Sequence, residues 1–204
     1  ALRRAPGGVP QSKEAGSIGL IAESQLLQIA KQNEVQVPDI IYSLTPEDKA
    51  GEGFIMSWCE GETLGAKIVK SEKFKPIRPR LAWQCGEVLA KIHSVDLSKY
   101  GLQKLLKKIE PSDYVKVTWE DYKRYNTPQP MIDYAAQWLL KNLPEPEPAS
   151  LVHNDFRNGN LIVSEKLGLV AVLDWELAHI GDPNRDLGWL CTPSWRFGQH
   201  TLPV

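Results

Sequence analysis

Three short apolar runs in the last third of the chain, Ser150–His153, Leu161–Val163 and Leu169–Leu173, alternate with polar, turn-forming residues. They are too short for buried helices, and their Val, Ile and Leu content reads as buried strands of a small sheet. The intervening turns carry His153, Asp155, Arg157 and Asn160, then Asp174, Trp175 and Glu176. Polar side chains held on loops of a rigid scaffold are where chemistry is commonly done, so this segment constrains both fold and function. Asx residues also cap turns. The agreement of strand pattern, spacing and residue type favours a reaction site over capping alone.

The spacing suits phosphoryl transfer. His153-x-Asp155 with Asn160 five residues beyond the Asp resembles the catalytic-loop pattern of protein kinases, and Asp174, ending an apolar run, falls at the position of their metal-binding Asp. The chemistry requires charge control, because a triphosphate carries several negative charges. Magnesium supplies the neutralisation, and it needs only one or two protein oxygens while phosphates and water fill its other positions. In this reading Asp155 takes the proton of an attacking hydroxyl, and Asn160 and Asp174 hold Mg2+.

The segments His153-Asn-Asp-Phe-Arg-Asn-Gly-Asn160, Leu173-Asp-Trp-Glu176 and Gly181-Asp-Pro-Asn-Arg-Asp-Leu187 resemble the aminoglycoside phosphotransferase and choline kinase-like family. The wording looks most like the subgroup that includes kinase domains fused to acyl-CoA dehydrogenases. The resemblance implies an α+β, protein-kinase-like two-lobed fold, with a small antiparallel-sheet lobe and hinge over residues 1–60 and a mostly helical lobe over 61–204. It implies ATP and Mg2+ as cofactors and a small-molecule hydroxyl as phosphate acceptor. Carried over by residue, it makes Asp155 the base, Asn160 and Asp174 the metal ligands, and Arg157 a cation for the transferring phosphate. His153 and Asp186 become supports of the loop. Asn154 stands where the family usually has Gly, and Asn tolerates positive φ better than most residues.

Upstream, the same resemblance gives Arg3 the role of the strand cation that contacts phosphate, and Glu23 that of its helix partner. Glu23 lies in Ile18–Gln32, whose Ile18, Ile21, Ala22, Leu26, Ile29 and Ala30 follow a helical period. Asp39–Leu44 and Phe54–Trp58 read as paired strands around a polar turn. Gly53–Gly61 resembles the last small-lobe strand and hinge, where backbone groups of Ser57 and Cys59 would bond adenine and Met56 would back the pocket. Relatives place two strands and a glycine-rich loop ahead of Arg3, so the resemblance implies an incomplete small lobe and a fragment of a larger enzyme. Gly7-Gly8 and Gly16 read as a turn between strand and helix.

Helices are expected at Arg78–His93, with Leu81, Ala82, Cys85, Val88, Leu89 and Ile92 inward, at Asp113–Tyr125, and at Met131–Asn142 around Ile132, Ala135, Ala136, Leu139 and Leu140. His93 reads as a core or capping histidine. Pro144–Pro148 is an extended connector. With 42% hydrophobic residues and a net charge of −1, the chain can bury a core and lacks a nucleic-acid or polybasic membrane surface, while oligomeric state is left open. No run approaches a membrane span. Three widely spaced cysteines, Cys59, Cys85 and Cys191, fit a reducing cytoplasmic compartment. Two other readings compete: a nucleotide-binding but catalytically silent interaction module, and a metallohydrolase using His153, Asp155, Asp174 and His179.

Overall fold

The computed structural model describes residues 1–5, 17–143 and 148–199. The chain opens on a three-stranded antiparallel sheet in which β3 (Gly53–Met56) lies between β1 (Leu2–Arg4) and β2 (Ile40–Ser43). Gly53 pairs with Arg4 at the end of the sheet, and a Cβ there would lie 2.4 Å from the Arg3 carbonyl, so the crossing admits only glycine. Phe54, opposite Arg3 in register, is fully buried and fixes which face of the sheet is inward.

Helix α1 (Leu20–Gln32) packs on β2 and β3. Its buried stripe is Ala22, Glu23, Leu26, Leu27 and Ala30. The expected stripe is thus slightly rotated: Ile21 is exposed and Leu27 takes its place inside. The rotation carries Glu23 into the interior, which apolar periodicity alone cannot anticipate.

Beyond residue 60 the chain is mainly helical, through α2 (Gly65–Lys70), α3 (Arg78–His93), α4 (Leu102–Leu105), α5 (Pro111–Arg124) and α6 (Pro130–Lys141). Proline begins both α5 and α6, where its fixed φ suits the first turn and its missing N–H costs no helical bond. Helix α3 buries Leu81, Cys85, Val88, Leu89 and Ile92 as its period predicts, with Ala82 exposed at the stripe's edge. In α6 the expected stripe reduces to Ala136. Helices α5 and α6 pack chiefly on each other, pinned by Trp119 Nε1 donating to Asp133 Oδ1 at 2.6 Å, and one neighbour cannot cover both apolar faces.

The three apolar runs form strands β4 (Ser150–Val152), β5 (Leu161–Ser164) and β6 (Gly168–Val172). β5 and β6 make a hairpin, while β4 pairs with β7 (His179–Gly181), which precedes the short helix α7 (Asn184–Leu190). One apolar core joins the two halves of the chain: Leu26, Leu27 and Phe54 cluster with Val88, Leu89, Ile92, Leu151, Phe156 and Trp175. Each such side chain contributes about 1.5–3 kcal/mol by burial. The Val172 amide also donates to the Gln36 carbonyl at 2.8 Å, and Ile18 to Glu176 at 2.9 Å, so the sheet and the polar turns keep a fixed relation. The expected turn at Gly7, Gly8 and Gly16, and residues 144–147 of the proline-rich connector, lie outside the described residues.

Candidate active site

Two non-glycine residues of the polar turns adopt positive φ, Asn154 at 70° and Asp174 at 62°. Asn and Asp tolerate this region best among L residues, and such conformations cluster at functional turns. At the first turn, backbone and side chains form a closed hydrogen-bond set around Asp155. Asn160 Nδ2 donates to Asp155 Oδ2 at 2.6 Å and to the Asp155 carbonyl at 3.0 Å. Arg157 Nε donates to Asp155 Oδ1 at 2.9 Å. The Asp155 side chain is 15% exposed, so the carboxylate is oriented yet still reachable.

His153 supports the turn from beneath. The Asp155 amide donates to His153 Nδ1 at 3.2 Å, and His153 Nε2 lies 3.0 Å from the Leu173 carbonyl. An amide only donates and a carbonyl only accepts, so the ring is the neutral tautomer with its proton on Nε2. Burial against Trp175 and Phe156 pushes the His153 pKa below the ordinary histidine value, with Asp186 opposing the shift. The unfolded chain therefore takes up a proton near pH 6.5 that the folded ring resists. Stability is expected to fall as pH drops below that value, approaching about 1.4 kcal/mol per pH unit for this one group. Melting temperatures measured between pH 7.5 and 5.5 check this, with a shallower slope expected in His153→Gln.

Asp186, on α7 and fully buried, ties the turn to the helices. Its carboxylate accepts from the His153 amide at 2.9 Å, the Asn154 amide at 2.7 Å and His93 Nε2 at 3.0 Å. Burial alone would raise its pKa, but the hydrogen bonds from His93 and from the two amides outweigh it and hold the carboxyl below the usual value. Arg185 completes this side, bonding the Asn154 side chain and Tyr114.

The second turn meets the small sheet. Arg3 Nε donates to Glu23 Oε2 at 2.8 Å, while its Nη2 reaches Asp174 Oδ1 at 2.7 Å and Glu176 Oε2 at 3.2 Å. One guanidinium thus faces three carboxylates, a local formal charge of −3 + 1 = −2. Burial raises the Glu23 pKa, Arg3 opposes it, and the nearby Asp174 charge adds to the rise. Asn160 and Asp174 line one cavity of about 190 Å3 with Arg3 and Glu23, and its apolar lining is Leu27, Pro38, Phe54, Met56 and Leu173. With its Nδ2 turned to Asp155, Asn160 has its amide oxygen left for another partner. Two neutral-to-anionic oxygens in a pocket with surplus negative charge fit a hard divalent cation that keeps most of its waters.

Of the residues expected from sequence, Arg3, Glu23, Met56, Asn160 and Asp174 share this cavity, and Asp155 with Arg157 stands just beyond Asn160. Ser57 and Cys59 do not line it. The Ser57 amide is already donated to the Asp39 carbonyl at 2.8 Å, so its carbonyl is what it offers a ligand. The metallohydrolase arrangement does not form. Both ring nitrogens of His153 are engaged, His179 stacks on Tyr114, and among the described residues no three His, Cys, Asp or Glu are grouped to hold a metal.

Two contacts escape sequence reasoning. Glu176 joins the Arg3 cluster, and Trp189 Nε1 donates to Asp155 Oδ1 at 2.7 Å. The signal for Trp189 was its place three residues after Asp186, which puts both on one face of α7.

The profile of the phosphotransferase enzyme family matches residues 2–203. Mouse acyl-CoA dehydrogenase family member 10 is 32% identical over 177 residues, which is 83% of this chain and 16% of that protein. The chain thus spans about a sixth of this relative's length. The GDP complex of an aminoglycoside 2'-phosphotransferase-IIIa variant superposes with a TM-score of 0.71 at 16% identity, covering 94% of this chain and 68% of that one. A choline/ethanolamine kinase family protein from Mesorhizobium loti gives 0.60 at 18% identity, covering 87% and 55%. The fold is that of the protein-kinase-like phosphotransferases, and the chain belongs to the phosphotransferase enzyme family.

Proposed function

We propose that the protein transfers the γ-phosphoryl group of ATP to a hydroxyl of a small molecule, with Mg2+ as cofactor. The observation that carries this reading is the cavity lined both by Arg3, Glu23, Asn160 and Asp174 and by the apolar Leu27, Pro38, Phe54 and Met56, with the oriented Asp155 carboxylate hydrogen-bonded to Asn160. A nucleoside triphosphate has that polarity. The base fits between Leu27, Pro38, Phe54 and Met56, and the Ser57 carbonyl and Cys59 amide at the chain's exit from β3 suit the donor and acceptor on an adenine edge. The phosphates then run toward Arg3, whose guanidinium fork matches phosphate oxygens. Magnesium held by Asn160 and Asp174 would supply the positive charge that the three carboxylates leave unmet.

In the transfer the acceptor oxygen forms a bond to the γ-phosphorus as the bond to the bridging oxygen breaks, and ADP leaves. The hydroxyl proton passes to the Asp155 carboxylate. Arg157, 27% exposed beside it, meets the charge on the transferring group. Titrated magnesium and ATP should raise the melting temperature together and neither alone, since a ligand present at about 100 times its Kd adds about 2.7 kcal/mol. Asp174→Ala is expected to lose that joint stabilisation. ATP stabilisation without turnover over a panel of hydroxylated acceptors would favour the silent nucleotide-binding module. Among the described residues no helix is long and apolar enough to cross a membrane. The free thiols Cys59, Cys85 and Cys191 support a reducing, cytoplasmic setting.

A further inference from the structure

The carboxylate assigned as base is held by three donors, and their distribution over its two oxygens is unequal. Oδ1 accepts from Arg157 Nε at 2.9 Å and from Trp189 Nε1 at 2.7 Å, whereas among the described residues Oδ2 accepts only from Asn160 Nδ2 at 2.6 Å. Each oxygen has two lone-pair directions. Oδ1 is therefore filled, and Oδ2 keeps one direction for an incoming hydroxyl. Trp189 does not act alone: its ring meets Trp195 edge to face at 5.2 Å, and Trp195 in turn lies 4.5 Å beneath the Arg157 guanidinium. The two indoles and the guanidinium brace one another, so the two donors reach Oδ1 as a single unit. The same helix that delivers Trp189 delivers Asp186 to the loop backbone.

We propose that Trp189 is a positioning residue for phosphoryl transfer: by filling Oδ1 together with Arg157, its indole N–H fixes the carboxylate plane and leaves Oδ2 as the atom that receives the acceptor's proton. The inference rests on the phosphotransferase reading of the site. It assigns Trp189 no contact with ATP, which separates it from the residues of the cavity.

The test combines a spectroscopic and a kinetic arm. Seven tryptophans give seven indole N–H signals in 15N-labelled protein, and Trp189→Phe identifies its own by removal while keeping a ring against Trp195. That signal is expected to move in Asp155→Ala, together with that of Trp195, which lies against both Trp189 and Arg157, while the other five stay, which also shows that both variants fold. In the kinetic arm, ATP hydrolysis with water as acceptor is followed in the protein and in Trp189→Phe. The variant's kcat is expected to fall about tenfold with KM for ATP unchanged, the pattern of lost alignment in the transition state. A Trp189 signal indifferent to Asp155→Ala, an unchanged kcat, or a rise in KM equal to the fall in kcat overturns the inference. Absence of any turnover in the unsubstituted protein, with water and over the panel of hydroxylated acceptors, overturns the reading of the site itself, and is distinguishable because parent and variant are then equally silent.

Discussion

Asp155→Ala should lower the rate of phosphoryl transfer by at least about a hundredfold at saturating ATP, the usual contribution of a positioned general base. Its affinity for magnesium and ATP should stay close to that of the parent, because Asn160 Nδ2 retains the Asp155 backbone carbonyl at 3.0 Å and keeps its amide oxygen toward the cavity. The isosteric Asp155→Asn is expected to behave differently. Its amide oxygen would face Arg157 and Trp189 at the Oδ1 position, leaving its NH2 against Asn160 Nδ2, where the present contact is 2.6 Å. Two donors at that distance repel. Relief comes from turning the Asn160 amide, which moves its nitrogen to where the metal would find oxygen. The Asn variant should therefore lose turnover equally and bind magnesium and ATP several-fold more weakly as well. Calorimetric titration of ATP with magnesium, beside steady-state turnover, separates the two variants. Equal nucleotide affinity in both would mean that Asn160 does not link base and metal.

The parts of this site that could be read from the chain are those that lie close together in it. His153, Asp155, Arg157 and Asn160 share one turn, and Asp174 stands two residues past the strand that pairs with the one beginning at Leu161, so spacing and apolar runs locate them. Helix α3 was equally legible because a full apolar stripe is covered on one side by the core. Long-range partners were not. The resemblance supplied the pairing of Arg3 with Glu23, since no local pattern distinguishes a buried helix carboxylate from an exposed one. Strand β7 is three residues long and gains its order from β4, not from its own composition. Trp189 reaches across 34 positions to Asp155, and an indole on a short helix advertises packing sooner than a hydrogen bond to a carboxylate. In each case the missing information is a contact made by the folded chain.

The largest effect on stability is expected at Asp186. Its carboxylate is fully buried and satisfies two backbone amides and one imidazole. Asp186→Ala removes the acceptor and leaves the His153 and Asn154 amides unpaired, at about 1–3 kcal/mol for each group. A loss of about 4 kcal/mol corresponds to a melting temperature lowered by roughly 10 °C for a chain of this size. The sign of the pH dependence follows from the group's lowered pKa. Folding holds the carboxyl ionised more firmly than the unfolded chain does, so its stabilisation is complete above the unfolded value near 3.8 and fades as pH falls through the lower folded value. The penalty should thus be fully expressed at neutral pH and shrink in acid. His93→Ala removes one donor from a carboxylate that keeps two, and should cost less than half as much. Thermal melts of the two variants from pH 7 to 3 measure both expectations. A neutral-pH loss in Asp186→Ala no greater than in His93→Ala would show that the loop backbone does not depend on this carboxylate, and that Asn154 holds its positive φ by the turn alone.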